Sequence, residues 1–122
     1  MPTRIIAAQE LAKFFGVFSH PDRVRIVEAL RGGERDVNAL QELLGVSHSR
    51  TSQNLAVLRS HRVVAERREG RHVFYRLTHP AVAEWVVAGL QFVEAELADV
   101  VQRQLAIEAA RQVWAPPDTT KV

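Results

Sequence analysis

Apolar positions in residues 4–18 recur with a helical period. Ala7, Leu11, Phe14 and Phe18 fall four, three and four residues apart, and Phe15 widens the stripe. The spacing predicts a first helix. Ser19-His20-Pro21-Asp22 reads as the start of a second, with Ser19 as the cap, a proline early and an acid in the first turn. Val24, Ile26, Val27 and Leu30 form its inward face, and Gly32-Gly33 stop it. Asp36 caps a third helix with Val37, Leu40, Leu43 and Leu44 apolar, and Gly45 ends it. Ser47 caps a fourth helix, about 47–61, with Leu55 and Leu58 inward and Thr51 at a core-facing position. From Val63 the period changes to two. Val73, Tyr75 and Leu77 alternate with His72, Phe74 and Arg76, so two strands around Glu69-Gly70 make a hairpin over about 63–77. Thr78 and Pro80 open a last long helix, about 80–113. Along it Val82, Val86, Leu90, Val93, Leu97 and Val100 or Val101 recur in steps of four and three, a seam suited to another helix. Pro116-Pro117 end regular structure and leave 114–122 as a disordered tail.

The expected architecture is α+β, mostly α: a winged helix-turn-helix with a two-stranded β-hairpin wing, in one domain over 1–113. Its terminal helices, about 4–18 and 80–113, remain for dimerisation.

Charge sharpens this picture. Between Ser47 and Arg76 stand seven arginines against two acids, Glu66 and Glu69, a net +5 in a chain whose total is +2. Residues 1–46 are neutral, with six basic and six acidic groups, and residues 77–122 carry three basic and six acidic. The positive charge is concentrated where a DNA-binding surface would lie. The chain has no cysteine, which excludes disulfides, thiolate metal sites and thiol redox sensing. Met-Pro-Thr-Arg lacks the apolar core of a signal peptide, and no apolar run approaches the ~18 residues of a membrane span. The expected location is the cytoplasm, with no membrane partner.

The fourth helix carries the candidate chemistry. A helix fits the major groove of B-DNA with its N-terminal residues at base edges. Ser47, Ser49 and Ser52 are short donors and acceptors, Gln53 can pair with an adenine edge, Arg50 can read guanine or bind phosphate, and His48 can do either; Asn54 completes the face. Arg68, Arg71 and His72 at the hairpin tip suit the neighbouring backbone or minor groove. Either feature alone is more often a solvated surface; the order of elements and the acid-free face from Ser47 to Arg62 favour duplex DNA. No phosphate-binding glycine loop and no nucleophile–base signature points to an enzyme.

Three segments carry a resemblance. Phe18-Ser19-His20-Pro21-Asp22-Arg23-Val24-Arg25-Ile26 resembles the "aDPtRlrIl" opening of the ArsR/SmtB family of bacterial repressors. Leu44 to Leu55 is similar to that family's recognition segment, and Arg67 to Leu77 to its wing. The resemblance implies a homodimeric repressor that an inducer releases from a palindromic operator, its dimer built by the first and last helices. Leu11, Phe14, Phe15 and Phe18 with Val86, Leu90, Val93 and Leu97 are the expected dimer interface, since they offer more apolar surface than one small core needs. An internal pairing of the two terminal helices is the alternative.

Two family features are missing. The "CVC" metal-site segment reads Glu34-Arg35-Asp36-Val37-Asn38 here, without soft thiolates, and the last-helix metal positions read His79, Ala81, Phe92 and Ala95. No metal or other cofactor is expected, and the chain falls in a subgroup lacking the usual metal and cysteine sensing sites. The leading expectation is a repressor released by a non-metal signal, such as an unknown small-molecule inducer. The alternatives are a metal-responsive repressor with a non-standard His/carboxylate site, an activator or anti-silencer of the same fold, and a winged helix turned to protein contacts. A further departure is Arg62, at a position where the family usually has glycine.

Overall fold

A computed structural model describes residues 2–114. Its elements run α1 (Pro2–Val17), α2 (Pro21–Leu30), β1 (Arg35–Asp36), α3 (Val37–Leu44), α4 (His48–Ser60), β2 (Val64–Glu69), β3 (His72–Leu77), α5 (Ala81–Ala88) and α6 (Leu90–Trp114). They fall into two units, Met1–Ala88 and Gly89–Val122. The expected tail lies, from residue 115 on, outside the described residues.

Caps explain most boundaries in the first unit. An Asp36 carboxylate oxygen accepts the Asn38 N–H at 2.7 Å and starts α3. Gly45 at φ 67° takes the left-handed geometry that closes it, and its N–H donates to the Gln41 carbonyl at 2.9 Å. Ser47 Oγ accepts the Arg50 N–H at 3.1 Å and starts α4. The start of α2 differs from expectation. The N-cap position is His20, with no side-chain bond, while Ser19 Oγ donates backwards to the Gly16 carbonyl at 2.6 Å. Pro21, with φ already fixed and no N–H to satisfy, begins the helix one residue too late for Ser19 to reach it.

The wing is a three-stranded antiparallel sheet, ordered β1-β3-β2. Pairing of Glu69 with His72 leaves Gly70-Arg71 as a two-residue turn, with Gly70 at φ 60°. The added strand, β1, pairs Arg35 with Tyr75 and Asp36 with Phe74. Two residues are too short to show a period, so no pattern in the sequence marks this strand.

The core gathers Ile26, Val27 and Leu30 of α2, Leu40 and Leu44 of α3, Leu55 and Leu58 of α4, and Val63, Val64 and Leu77 of the wing. Each fully buried Leu or Ile contributes roughly 1.5–3 kcal/mol over leaving it in water. On α1 the buried residue is Val17, while Phe14 and Phe18 pack partly against the core and Leu11 and Phe15 stay about half exposed. Trp85 of α5 gathers these rings: Phe14, Phe15 and Phe18 centroids lie 5.5, 5.4 and 5.3 Å from it.

The expected single last helix is interrupted at Gly89, which separates α5 from α6. Glycine carries a helix cost of about 1 kcal/mol, and the apolar steps of four and three run straight across it, which hid the break. Thr78 does not cap that helix. Its hydroxyl donates to the Arg62 carbonyl and its N–H to the Val63 carbonyl at 3.0 Å, tying the end of β3 to the end of α4. No residue of α6 is buried.

Arg62 sits at φ 58°, the one non-glycine residue among those described with a positive φ. The turn out of α4 keeps the geometry that favours glycine while carrying a side chain that resists it. Arg62→Gly is expected to raise unfolding stability by about 0.5–1 kcal/mol, after the extra chain entropy of glycine is offset. Urea unfolding followed by circular dichroism measures it, and a lower midpoint would refute the strain.

Candidate nucleic-acid interface

One side of α4 is fixed by burial. Thr51, Leu55 and Leu58 are completely buried, and the Thr51 hydroxyl is satisfied by donating to the Ser47 carbonyl at 3.0 Å. Ser49, Ser52 and Gln53 therefore stand outward. The preceding helix is locked to α2 by Arg25, whose terminal nitrogens donate to the Leu44 and Leu43 carbonyls at 3.0 and 2.8 Å. These carbonyls close α3 and have no partner within it.

The expected face is assembled, but its side chains are not equally available. Ser49 and Gln53 are exposed and make no side-chain hydrogen bond among the described residues. Ser47 is exposed and serves as the cap. His48 Nδ1 lies 3.3 Å from Gln41 Oε1, and Ser52 Oγ lies 3.4 Å from His48 Nε2. Asn54 is half-buried and committed at both ends: its amide donates to the Arg50 carbonyl at 3.0 Å and accepts from Arg23 Nε at 3.1 Å. Arg50 is exposed yet paired, Nε to Asp22 Oδ2 at 2.7 Å.

The wing's arginines divide the same way. Arg67 pairs with Glu34 through two contacts, 2.6 and 3.2 Å, and with Glu69 at 2.6 Å, while its guanidinium lies 4.6 Å from the centre of the Phe74 ring. Arg59 pairs with Glu66 at 2.6 Å, and Glu66 accepts from the Tyr75 hydroxyl at 3.2 Å. Burial, then the Glu66 carboxylate, pushes the Tyr75 phenol up. His72 Nδ1 lies 2.9 Å from Asp36 Oδ2. Arg62, Arg68, Arg71 and Arg76 make no ion pair among the described residues. Of the seven arginines of this segment, these four are available to an external anion.

The outward face is legible in the sequence, but the residues behind it are not. Asp22 and Arg23, one helix away, hold Arg50 and Asn54; Glu34 and Asp36, 33 and 36 residues away, hold Arg67 and His72. The only signal was an acid in the first turn of α2, which reads equally well as a capping residue. Among the described residues no three His, Asp or Glu side chains come together as metal ligands would. No helix there is long and apolar enough to cross a membrane.

Residues 20–66 match the family described as "Bacterial regulatory protein, arsR family". The biofilm growth-associated repressor of Xylella fastidiosa is 38% identical over 81 residues, which span 66% of this chain and 71% of that one. The crystal structure of Mycobacterium tuberculosis Rv0081 superposes with a TM-score of 0.71 at 35% identity, covering 78% of this chain and 96% of that one. Mb0332 from Mycobacterium bovis, described as a homodimeric winged helix-turn-helix DNA-binding domain, superposes with a TM-score of 0.67 at 26% identity, covering 77% and 87%.

Carboxylate titration tests the ties that hold the wing. The Arg67 guanidinium bonded to Glu34 holds its carboxyl below the ordinary range, and the Asn38 N–H, then His72, does the same for Asp36. Depressed values mean that this support is complete above the ordinary carboxylate range and is lost as pH falls through the lowered values. Protection of the amides across Val64–Leu77, taken relative to the intrinsic exchange rate at each pH, should therefore fall in that acid window, ahead of protection in α2. Glu34→Gln should give the same local loss of protection at neutral pH. Uniform exchange in both cases would show that these pairs brace nothing.

Proposed function

This chain belongs to the arsR family of bacterial regulatory proteins, and from that premise we propose a homodimeric, sequence-specific DNA-binding repressor released by a non-metal signal. The observation that carries the reading is the split surface of α4. Its buried side is set by Thr51, Leu55 and Leu58, and its open side offers Ser49, Gln53 and Arg50 with no acid between Ser47 and Arg62.

In this reading the N-terminal turn of α4 enters the major groove. Its positive helix end and short serines favour close approach to phosphate. Gln53 and Arg50 meet base edges. His48, linked to Ser52, stands beside them, and Asn54 acts by holding the helix rather than by reading a base. Arg68 and Arg71, with His72 at the hairpin tip, meet the sugar-phosphate backbone, where contacts give affinity without sequence information. A structural neighbour described as homodimeric supports assembly as a dimer. Of the residues expected at the dimer interface, Phe14, Phe18 and Val86 are already partly used by the core, while Leu11 and Phe15 of α1 and Leu90, Val93 and Leu97 of α6 stay exposed and open to a second copy. A palindromic operator follows from that symmetry.

The absence of cysteine leaves no thiol for a signal to act on. A cavity of about 590 Å³, lined by Leu11, Phe14, Phe15, Trp85, His61 and His79 among others, has the size that small organic inducers fill.

Selection of bound fragments from genomic DNA, then gel-shift titration, tests the proposal. Wild type should bind a selected palindrome with nanomolar-range affinity that weakens steeply with salt. Gln53→Ala should cost about 1–3 kcal/mol and relax preference at one base pair. Arg68→Ala and Arg71→Ala should weaken all sequences alike, each lowering the salt slope by about one. Unchanged binding by all three variants would refute the assigned face.

A further inference from the structure

We infer that Asp22 is a positioning residue: it holds the Arg50 guanidinium in place to read a base pair and keeps it from settling on a phosphate. The inference rests on the proposal that α4 meets DNA, and it concerns a residue outside both the recognition helix and the wing.

Asp22 lies in the first turn of α2 and is 8% exposed, one of two buried polar or charged residues among those described. A carboxylate in so little water is costly unless a partner offsets the loss. Its one ion-pair partner among the described residues is Arg50, 2.7 Å away, whose side chain is 61% exposed. The close contact is at Nε, on the inner side of the guanidinium, and among the described residues no carboxylate other than Asp22 pairs with Arg50. Those terminal nitrogens are the pair of donors that a guanine edge accepts.

Two consequences follow. An arginine loose on a helix loses rotamer entropy when it is fixed, and prior anchoring leaves less to lose on binding. A fixed negative charge beside Arg50 also disfavours the approach of a phosphate at that point, so the residue is steered from backbone contact toward base contact. The next residue reinforces the arrangement. Arg23 donates from Nε to Asn54 Oδ1 at 3.1 Å and from a terminal nitrogen to the Val17 carbonyl at 3.3 Å, and Asn54 donates to the Arg50 carbonyl at 3.0 Å. The first turn of α2 thus grips α4 at positions 50 and 54, one turn apart on the exposed side.

The test uses the full chain with Asp22→Ala, the isosteric Asp22→Asn, Arg50→Ala and the Asp22→Ala/Arg50→Ala double variant. Each is titrated against the selected operator, a library with every single base-pair change, and bulk non-specific DNA. Expected for both Asp22 variants is a roughly tenfold loss of discrimination at one base pair, the one that Arg50→Ala also flattens, with non-specific affinity equal or higher. The double variant should lose no more than Arg50→Ala alone, because the two residues act as a unit. Should Asp22→Ala unfold, Asp22→Asn, which keeps the volume, supplies the readout. The inference is overturned if the base-preference profile survives in the Asp22 variants while Arg50→Ala alters it. It is also overturned if operator and non-specific affinity fall by one common factor, the mark of a purely structural role. A wild-type chain that selects no sequence at all would defeat the repressor proposal itself, and this inference with it.

Discussion

Burial of Thr51, Leu55 and Leu58 on one side of α4 governs everything the molecule presents outward. A 13-residue helix is marginal by itself in water, so packing rather than propensity decides that it forms and how it is rolled about its axis. A rotation by one residue would turn each side chain about 100° and bring Ser52 toward the core in place of Thr51. Arg25 adds the second constraint. By capping the last carbonyls of α3 from α2, it sets where the tight turn at Gly45 delivers the next helix.

Electrostatics then sorts a run of arginines that look alike in sequence. Arg50, Arg59 and Arg67 each meet a carboxylate, and two of these acids, Asp22 and Glu34, come from elements remote in the chain. Arg59 and Arg67 hold the shape of the wing, Arg50 is tied to α2 while its side chain stays exposed, and Arg62, Arg68, Arg71 and Arg76 make no ion pair among the described residues. Exposed pairs of this sort contribute little stability one by one. The effect of the Arg67–Glu34 pair is geometric, in holding the hairpin near the start of α3. Arg31 does similar work elsewhere, binding Glu84 through two contacts of 2.8 and 3.0 Å and so joining the end of α2 to α5.

Local signals were legible in sequence. Asp36, Gly45 and Ser47 act through atoms two to four residues away, and each sits where a cap requires it. The buried positions of α4 follow from its period, as do Ile26, Val27 and Leu30 of α2, whereas Val24 is only partly buried and Ala29 takes an inward place that its small side chain does not announce. What could not be read depends on contacts between distant segments or on very short ones. β1 has two residues and exists because β3 has an open edge. The break at Gly89 is masked by an apolar pattern that continues through it. Ser19 was one residue out of register with the helix it was expected to cap. The polar face of α4 was legible as a surface, but the commitment of Asn54 and Arg50 to α2 was not, because no local pattern encodes a partner 28 or 31 residues away.

The bracing of the hairpin by Arg67, Glu34 and Glu69 has a consequence for counting ions. All three contacts are exposed pairs, and mobile electrolyte screens such pairs over a length of about 8 Å under physiological conditions. In the proposed complex, added electrolyte would then act twice, once by competing for the nucleic-acid backbone and once by loosening the element that carries Arg68 and Arg71. A logarithmic plot of affinity against electrolyte should accordingly be steeper than the number of neutralised phosphates, and taking its gradient as a tally of direct contacts would overstate them.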